Sequence, residues 1–331
     1  LNFETSFTGK DLLRTRLQAG NFNTTFNQNG PTGTNMSRLA YDDGRDNNDV
    51  TIDDLFYRAP IGTPFGNITV WVGANGLNLD DVFITANPFL ADSGTGALSR
   101  GQRYNNIVFR GPSGTGAGIR FKIGDVFQVT GAYLAGSGAS NPSEGNGLFN
   151  GSFSTGAQVG FSFIKFADIN FVYVRSYQTA ADIRSGLFGN VSSPLTERPF
   201  GNVGTTADRF GLQASAQVIP GVLNLGAWGG YADAKATSVN AAIGDNNTGI
   251  WSWNLNLSVL DLFAEGAAFS LGGGQVPRSD KESRTSYMVE AQYKFPVTKN
   301  ILITPGAYAV FNANNEGNAI LVGVIRTTFR F

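Results

Sequence analysis

The end of the chain constrains its fold more than any other stretch. Residues 319–331 alternate in character and finish on Arg-Phe-Arg-Phe. In an extended strand, successive side chains point to opposite faces. One face then carries Leu321, Gly323, Ile325, Thr327, Phe329 and Phe331, and the other carries Arg326, Thr328 and Arg330. Because an edge strand with exposed aromatics invites aggregation in water, the pattern favours a strand that closes a barrel in a membrane.

Composition supports a membrane protein that crosses the bilayer by strands. Charged residues make up 15% of the 331 residues, against roughly 25% in ordinary soluble domains. No run approaches the roughly 18 apolar residues of a membrane helix. Only helices and closed barrels satisfy every backbone polar group in lipid. We therefore predict an all-β fold, a transmembrane antiparallel β-barrel, as a single domain over residues 1–331.

The connections between strand-like runs alternate between short and long. The tight turn Gly124-Asp125 and the long polar stretch 20–49 are examples. Outer-membrane barrels have this asymmetry, with short periplasmic turns and long outer loops. We count about 15 runs, and bacterial barrels have an even number of strands, so we predict about 16, with one strand upstream of Leu1. Alternatively, the segment around Ile107 supplies the sixteenth strand.

The residue types exclude most enzymatic chemistry. The sequence contains no His and no Cys, so a Ser-His triad cannot be built, and imidazole or thiolate metal sites are equally excluded. The net charge of −1 gives no basis for nucleic acid binding. We therefore predict that the protein is not an enzyme and has no cofactor and no metal site.

One acidic group leaves two interpretations open. Its members are Asp42, Asp43, Asp46, Asp49, Asp53 and Asp54. Their spacing does not match a calcium-binding loop. The group is either a cation-attracting mouth or divalent bridge between loops, or simply a solvated loop.

Charges that alternate with apolar residues along the strands are expected to face a wet interior. A charge on the lipid face at mid-depth costs roughly 2–4 kcal/mol. The predicted pore-lining residues are Arg14, Arg16, Arg58, Arg120, Lys122, Arg209, Glu290 and Lys294. Basic residues dominate this set, which predicts a basic wall and a modest preference for anions. Loop carboxylates are expected to offset it little, because they can swing into bulk water.

The segment from Gly76 to Gly114 is too long for an economical connection. Loops of this size without their own structure are usually functional. We predict that it folds into the lumen and forms a constriction, with Arg100, Arg103 and Arg110 facing the ion path.

Parts of the sequence resemble a known family. The segment Phe3 to Asn21, which opens with Phe-Glu-Thr-Ser-Phe-Thr-Gly-Lys-Asp, is similar to the opening barrel segment of the cyanobacterial outer-membrane porins related to carbohydrate-selective OprB-type porins. Residues 132–136 and 147–152 also resemble these porins, as does the Phe-terminated last strand. The resemblance covers essentially the whole chain.

The resemblance implies a passive outer-membrane channel for small solutes, chiefly inorganic ions with iron as a further candidate. It implies a homotrimer surrounded by membrane lipid and lipopolysaccharide. Such porins carry an N-terminal S-layer-homology domain and a coiled coil that bind a peptidoglycan-linked polymer. This sequence contains neither and opens inside a strand-like run, so we expect that it begins after processing or truncation. Phe329 and Phe331 resemble the signal read by the barrel-assembly machinery.

Two other functions stay open. A sugar-selective channel would use the aromatic residues Trp71, Trp228 and Tyr308 as a stacking track in the lumen. A structural barrel would mainly tether the outer membrane to the cell wall.

Overall fold

Fifteen β-strands make up most of the regular structure in the described part of the chain. The computed structural model describes residues 1–21, 25–42, 48–64, 66–163, 167–239 and 243–330. The strands are β1 (Asn2–Thr5), β2 (Leu12–Gln18), β3 (Thr51–Thr63), β4 (Gly66–Leu77), β5 (Gly114–Ile123), β6 (Phe127–Ala135), β7 (Phe153–Phe163), β8 (Ala167–Gln178), β9 (Thr205–Ile219), β10 (Leu223–Ala236), β11 (Asn247–Leu260), β12 (Ala268–Ser279), β13 (Tyr287–Thr298), β14 (Ile301–Phe311) and β15 (Ala319–Phe329).

The helices are short and lie in the long connections. They are the one-turn helices α1 (Leu79–Val82), α2 (Asn106–Phe109) and α3 (Pro194–Glu197), and 3-10 turns at Asn35–Ser37, Asp182–Ser185 and Ala313–Asn315. Within the described ranges, none of these helices is long and apolar enough to cross a bilayer.

The strands form one antiparallel sheet in chain order. Each strand pairs with the next, from β1 beside β2 to β14 beside β15. Over the ranges that the structure describes, β1 and β15 do not pair with each other, so the sheet is barrel-like but open. With an odd number of alternating strands, β1 and β15 point in the same direction, and antiparallel closure needs one more strand. The strand expected upstream of Leu1 stays a prediction.

The alternative that the segment around Ile107 supplies the missing strand is wrong. Residues Asn106–Phe109 form α2 instead. The side chain of Asn105 caps this helix by accepting a hydrogen bond from the Ile107 amide at 3.2 Å, a role that Asn favours. In sequence, a short apolar run fits a strand or a buried helical turn equally well. Here the Asn105 cap and the burial of residues 106–109 favour the helical turn.

The alternation of side chains in β15 is as the sequence predicts. Leu321 and Ile325 are each 77% exposed, whereas Arg326 is only 6% exposed. Phe331 lies outside the described residues. The outward face is apolar and the inward face carries the charge, which is the pattern of a strand in a membrane barrel. The predicted all-β antiparallel barrel fold is confirmed.

The connection between β4 and β5, residues 78–113, lies on the inner face of the sheet, and we call it the inner segment. Gln213 of β9 donates to the carbonyl of Ile84 at 2.6 Å. From the far side of the sheet, Glu290 of β13 accepts a hydrogen bond from the Leu98 amide at 2.7 Å. Strands that are far apart in the sheet thus contact one segment, which requires the sheet to curl around it.

A hydrophobic core fills one side of the interior. Its buried members include Leu79, Val82, Phe83, Ile107, Val108 and Phe109 of the inner segment, Leu134, Val172, Val174 and Ala232 of the strands, and Ile183, Leu187, Phe188, Val191 and Phe200 of the connection between β8 and β9. The interior is therefore wet only in part, and the packing goes beyond the single inward-folded segment that the sequence predicts. Two long connections fold inward and bury their apolar side chains against the strands.

Glycines let α2 approach the strands closely. A Cβ atom on Gly230 of β10 would lie 2.7 Å from the Cβ of Ile107, whereas one on Gly229 would meet nothing within 4 Å. We expect Gly230→Ala to lower the free energy of unfolding by about 1–3 kcal/mol, the usual cost of overpacking, and Gly229→Ala to have little effect. Denaturant unfolding in detergent, followed by tryptophan fluorescence, measures both. Equal stability of the two variants would contradict this close packing.

Candidate solute path

A charged cavity of about 680 Å³ lies between the first strands and the inner segment, and we call it the main cavity. Its charged and tyrosine lining consists of Arg14, Arg16, Asp53 and Asp54 from β2 and β3, of Asp80, Asp81, Asp92, Arg100, Arg103, Tyr104 and Arg110 from the inner segment, and of Tyr41 and Asp42 from the first long connection. Three separate parts of the sequence therefore build one site.

The strand wall of the main cavity carries ion pairs. Arg14 Nη1 lies 3.7 Å from an oxygen of Asp81, and Arg16 Nη2 lies 3.0 Å from Asp54. Arg16 also pairs with Asp53. Asp53 and Asp54 belong to β3, so the expectation that these carboxylates swing into bulk water is wrong. Both carboxylates lie next to Arg16 and offset its positive charge within the wall itself.

The opposite wall holds its arginines around one aromatic ring. The Cζ atoms of Arg103 and Arg110 lie 4.7 and 4.9 Å from the ring centroid of Tyr104, within cation–π distance. Arg103 also lies 3.2 Å from Asp80, and Arg110 donates to the side chain of Asn106 at 2.7 Å. These contacts fix two like charges next to each other, so the wall presents guanidinium groups in set positions.

The surroundings of Asp81, at the start of the inner segment, disfavour its charged form. Asp81 accepts a hydrogen bond from the Asn78 amide at 2.9 Å. Burial and the neighbouring carboxylates of Asp80 and Asp54 raise the pKa of Asp81 above its usual range. As the pH falls, Asp81 therefore takes up a proton earlier than a solvated aspartate, and the main cavity loses negative charge.

Two predicted pore-lining residues of β13 hold the inner segment in place. Glu290 accepts hydrogen bonds from the amides of Leu98 and Ser99 at 2.7 and 2.8 Å. Lys294 donates to the carbonyl of Phe89. Both side chains point inward as expected, but each binds backbone groups.

Two other predicted pore-lining residues, Arg120 and Arg209, also bind backbone groups of the inner segment. Arg120 donates to the carbonyl of Val82 and stacks over Trp71, with Cζ 5.1 Å from the ring centroid. Arg209 is fully buried and donates to the carbonyl of Ile107 at 3.3 Å. The expected position of Arg209 on an open path is therefore wrong, because the inner segment covers it.

The other predicted pore-lining residues keep access to water. Arg14 and Arg16 line the main cavity. Arg58 is exposed in β3, and Lys122 lies 3.2 Å from Asp125 in the following turn. Their role in solute passage stays a prediction.

The three arginines predicted for the constriction, Arg100, Arg103 and Arg110, all line the main cavity. Arg100 donates to the carbonyl of Gly189 at 3.1 Å, which joins the inner segment to the connection between β8 and β9. The structure thus brings these arginines together, and their constricting role stays a prediction.

The predicted aromatic stacking track is wrong. Trp71, Trp228 and Tyr308 are only 3%, 5% and 1% exposed. The hydroxyl of Tyr308 donates to the carbonyl of Ser37 at 2.5 Å. Inward-folded connections cover these rings, so they offer no open surface to a solute.

The first member of the acidic group, Asp42, pairs with arginines, whereas Asp49 is exposed as the solvated-loop interpretation expects. Asp42 accepts a hydrogen bond from Arg38 at 3.0 Å and lies 3.5 Å from Arg100. Asp43 and Asp46 lie outside the described residues. At Asp42, the structure shows an arginine-paired carboxylate that joins the first long connection to the inner segment.

Sequence reasoning missed Asp80, Asp81 and Tyr104, which all line the main cavity. One signal could have indicated the first two. Asn78 followed by Asp81 three positions later is a capping pattern, and it places an acidic pair at the start of a helix. Nothing in the sequence marks Tyr104, because its arginine neighbours are set by the fold of the segment.

A second cavity of about 520 Å³ lies at the end of the sheet with the short turns. Its charged lining includes Lys294, Lys299, Arg330, Asp92 and Asp261. Asp92 also lines the main cavity, so the tip of the inner segment lies between the two. The candidate solute path runs from the main cavity past this tip to the second cavity.

Sequence comparison shows the family. The family model described as carbohydrate-selective porin, OprB family, matches residues 1–331. An uncharacterised protein of Synechocystis sp. is 36% identical over 354 aligned residues, which cover 100% of this chain and 62% of that protein. One of Nostoc sp. is 32% identical over 358, covering 100% and 60%. The chain therefore spans about three fifths of the length of these relatives.

Solved structures share the fold at low identity. An anion-selective porin from Comamonas acidovorans superposes with a TM-score of 0.56 and 12% identity, over 98% of this chain and 87% of that one. OprB of Pseudomonas putida superposes with a TM-score of 0.52 and 11% identity, over 97% and 84%. The family match over the whole chain and this barrel fold agree. The chain belongs to the OprB family of carbohydrate-selective porins, which are channel proteins of the outer membrane and not enzymes.

Proposed function

We propose that this barrel is a passive diffusion channel for neutral, polyhydroxylated solutes of the sugar class. One observation carries the proposal. In the part of the chain that the structure describes, five arginines and six aspartates line the main cavity, and four of these arginines, Arg14, Arg16, Arg100 and Arg103, each pair with an aspartate of the lining. The family match supports this sugar-selective alternative better than a channel chiefly for inorganic ions or iron.

The chemistry of the lining fits a hydroxyl-rich solute. A guanidinium group donates several hydrogen bonds in fixed directions, a carboxylate only accepts them, and a hydroxyl does both. A sugar can therefore bridge neighbouring members of an arginine–aspartate pair, such as Arg103 and Asp80, which lie 3.2 Å apart. Paired opposite charges give little net potential to concentrate ions of either sign. Polar recognition of the hydroxyl groups replaces the aromatic stacking that the sequence suggested.

The constriction is part of this proposal. The inner segment crosses the interior and carries Arg100, Arg103 and Arg110 into the main cavity. Strand side chains hold it from several sides, including Glu290 and Lys294. We infer that this segment narrows the path and sets the size of the solutes that pass.

The oligomeric state and the partners of the protein also belong to this proposal. A structure of OmpT of Vibrio cholerae, with a TM-score of 0.51 and 10% identity, is described as a trimer form, which supports a homotrimer here. A link to a peptidoglycan-linked polymer, contact with lipopolysaccharide and recognition of the aromatic end by the barrel-assembly machinery remain proposals. Phe329 is exposed at that end, and Phe331 lies outside the described residues.

Added sugar tests the proposed function. We expect glucose or maltose to lower the KCl conductance of single channels in a planar bilayer, because a sugar held between the charged pairs blocks ions. Polyethylene glycol of similar size provides the control for simple volume exclusion, since it has few hydroxyl groups. A barrel that conducts ions and shows the same small effect with both additives would overturn the sugar preference. A barrel with no conductance would favour a purely structural tether.

A further inference from the structure

We propose that the outward face of β9–β13 holds the acyl chain of a membrane lipid in a preformed groove. The groove encloses about 550 Å³, within the range of about 300–1,000 Å³ that ligand-binding clefts occupy. It lies on the opposite side of the sheet from the solute path, so it is independent of the proposed channel function.

A cross-strand row of three small residues and one leucine forms the floor of the groove. Ala214 of β9 lies opposite Ala227 of β10, and Ala227 lies opposite Leu255 of β11, which in turn lies opposite Gly273 of β12. Leu225 and Leu271 stand at its sides. In a bilayer an unfilled groove forfeits dispersion contacts along its whole lining. An apolar chain that lies in it therefore gains contact on several sides.

An aromatic row fixes the depth of the groove in the membrane. Tyr173, Phe210, Tyr231 and Trp251 lie in register across β8–β11 on the outward face, towards the long connections. Such rows lie at the membrane–water interface. Ala227 comes four residues before Tyr231 in β10, a distance of about 13 Å by strand rise. The groove thus lies below the interface, at the depth of the acyl chains.

A charged row lies two residues beyond the aromatic row. Arg175 pairs with Asp208 at 2.5 Å, and Lys235 pairs with Asp233 at 2.7 Å. Cations and carboxylates alternate here at the level of the lipid headgroups. From the outer end inwards, the wall therefore offers charge, aromatic rings and an apolar groove, in the order in which a lipid presents its headgroup, interface and chain.

The occupant is a lipid and not a second copy of the chain. The groove is continuous with the lipid-facing wall, and Leu255 within it is 61% exposed. The two ion pairs of the charged row are made within this chain, so these four charges do not need a protein partner.

Photolabelling tests the groove directly. The purified barrel is placed in palmitoyl-oleoyl phosphatidylglycerol vesicles that contain a trace of the same lipid with a diazirine in its acyl chain. After irradiation, we expect labelled peptides to concentrate severalfold on residues 214–227 and 255–273 compared with the equally outward β4 and β5. Uniform labelling of all outward strands in the wild-type barrel would overturn the proposal.

A matched pair of variants sharpens the test. Ala227→Trp fills the groove and should lower its labelling severalfold, whereas Ala157→Trp, on the outward face of β7 away from the groove, should leave it unchanged. Heat-modified migration on gels confirms that each variant is folded. If a variant does not fold, the distribution of labelled peptides in the wild-type barrel remains the test. If Ala227→Trp leaves labelling unchanged, or instead dissociates an oligomer, the groove is not a lipid site.

Discussion

Deletion of residues 90–102 is expected to raise the single-channel conductance of the barrel severalfold. These residues include Asp92 at the tip between the two cavities and Arg100 in the main cavity. Their removal joins the two cavities, and barrels of about 16 strands leave an aqueous channel when the interior is not filled. Conductance in planar bilayers at high KCl measures the effect.

The deletion needs a companion change and a control. It removes Leu98 and Ser99, whose amides donate to the buried carboxylate of Glu290. Because a buried charge without partners is strongly destabilising, Glu290→Gln is combined with the deletion. Removal of residues 140–145, which lie in the connection between β6 and β7, is the control and should not alter conductance. A folded deletion variant with unchanged conductance would show that the inner segment does not limit the path.

The strands and their faces could be predicted from the sequence because they depend on local rules. The alternation around Arg326 follows directly from the two-residue period of a strand, and the structure has it buried between two exposed neighbours. The inward fold of the long segment after Gly76 could be inferred from its length alone. Both predictions needed no knowledge of what lies across the interior.

The partners of the inward charges could not be predicted in this way. Period-two alternation gives the face of Arg209 but not its neighbour, the carbonyl of Ile107, which lies 102 positions away in the chain. A water-filled lumen and a lumen occupied by a folded connection produce the same pattern in the strand. The distinction depends on apolar residues such as Phe188, which lies in a connection whose sequence has no hydrophobic periodicity.

The same limit applies to the charge balance of the path. From the sequence, Asp53 could belong to a mobile loop, but β3 begins at Thr51 and fixes it beside Arg16. Strand boundaries are uncertain by a few residues when read from sequence. A carboxylate near such a boundary can therefore be a fixed counter-charge, and here it offsets the positive charge of the wall.

Replacing Arg14 and Arg16 together by Gln is expected to shift the zero-current potential in a KCl gradient towards cations. The change leaves Asp53, Asp54 and Asp81 without their partners, so the main cavity becomes negative. We expect a shift of roughly 20–30 mV, on the order of the kT-scale potentials of charge-lined clefts. The shift should shrink at high salt, because the Debye length falls from about 10 Å at 0.1 M to about 3 Å at 1 M.

Arg175→Gln is the matched control for this pair. Arg175 forms a comparable ion pair with Asp208, at 2.5 Å, but it stands on the outward face of β8 and outside both cavities. Its replacement should leave the zero-current potential where it is. If the double variant also leaves it unmoved while the barrel stays open, the carboxylates of β3 and α1 do not face the ions, and the path must run along another wall. A shift towards anions would contradict the arrangement of pairs itself, because only the loss of carboxylate charge could produce it.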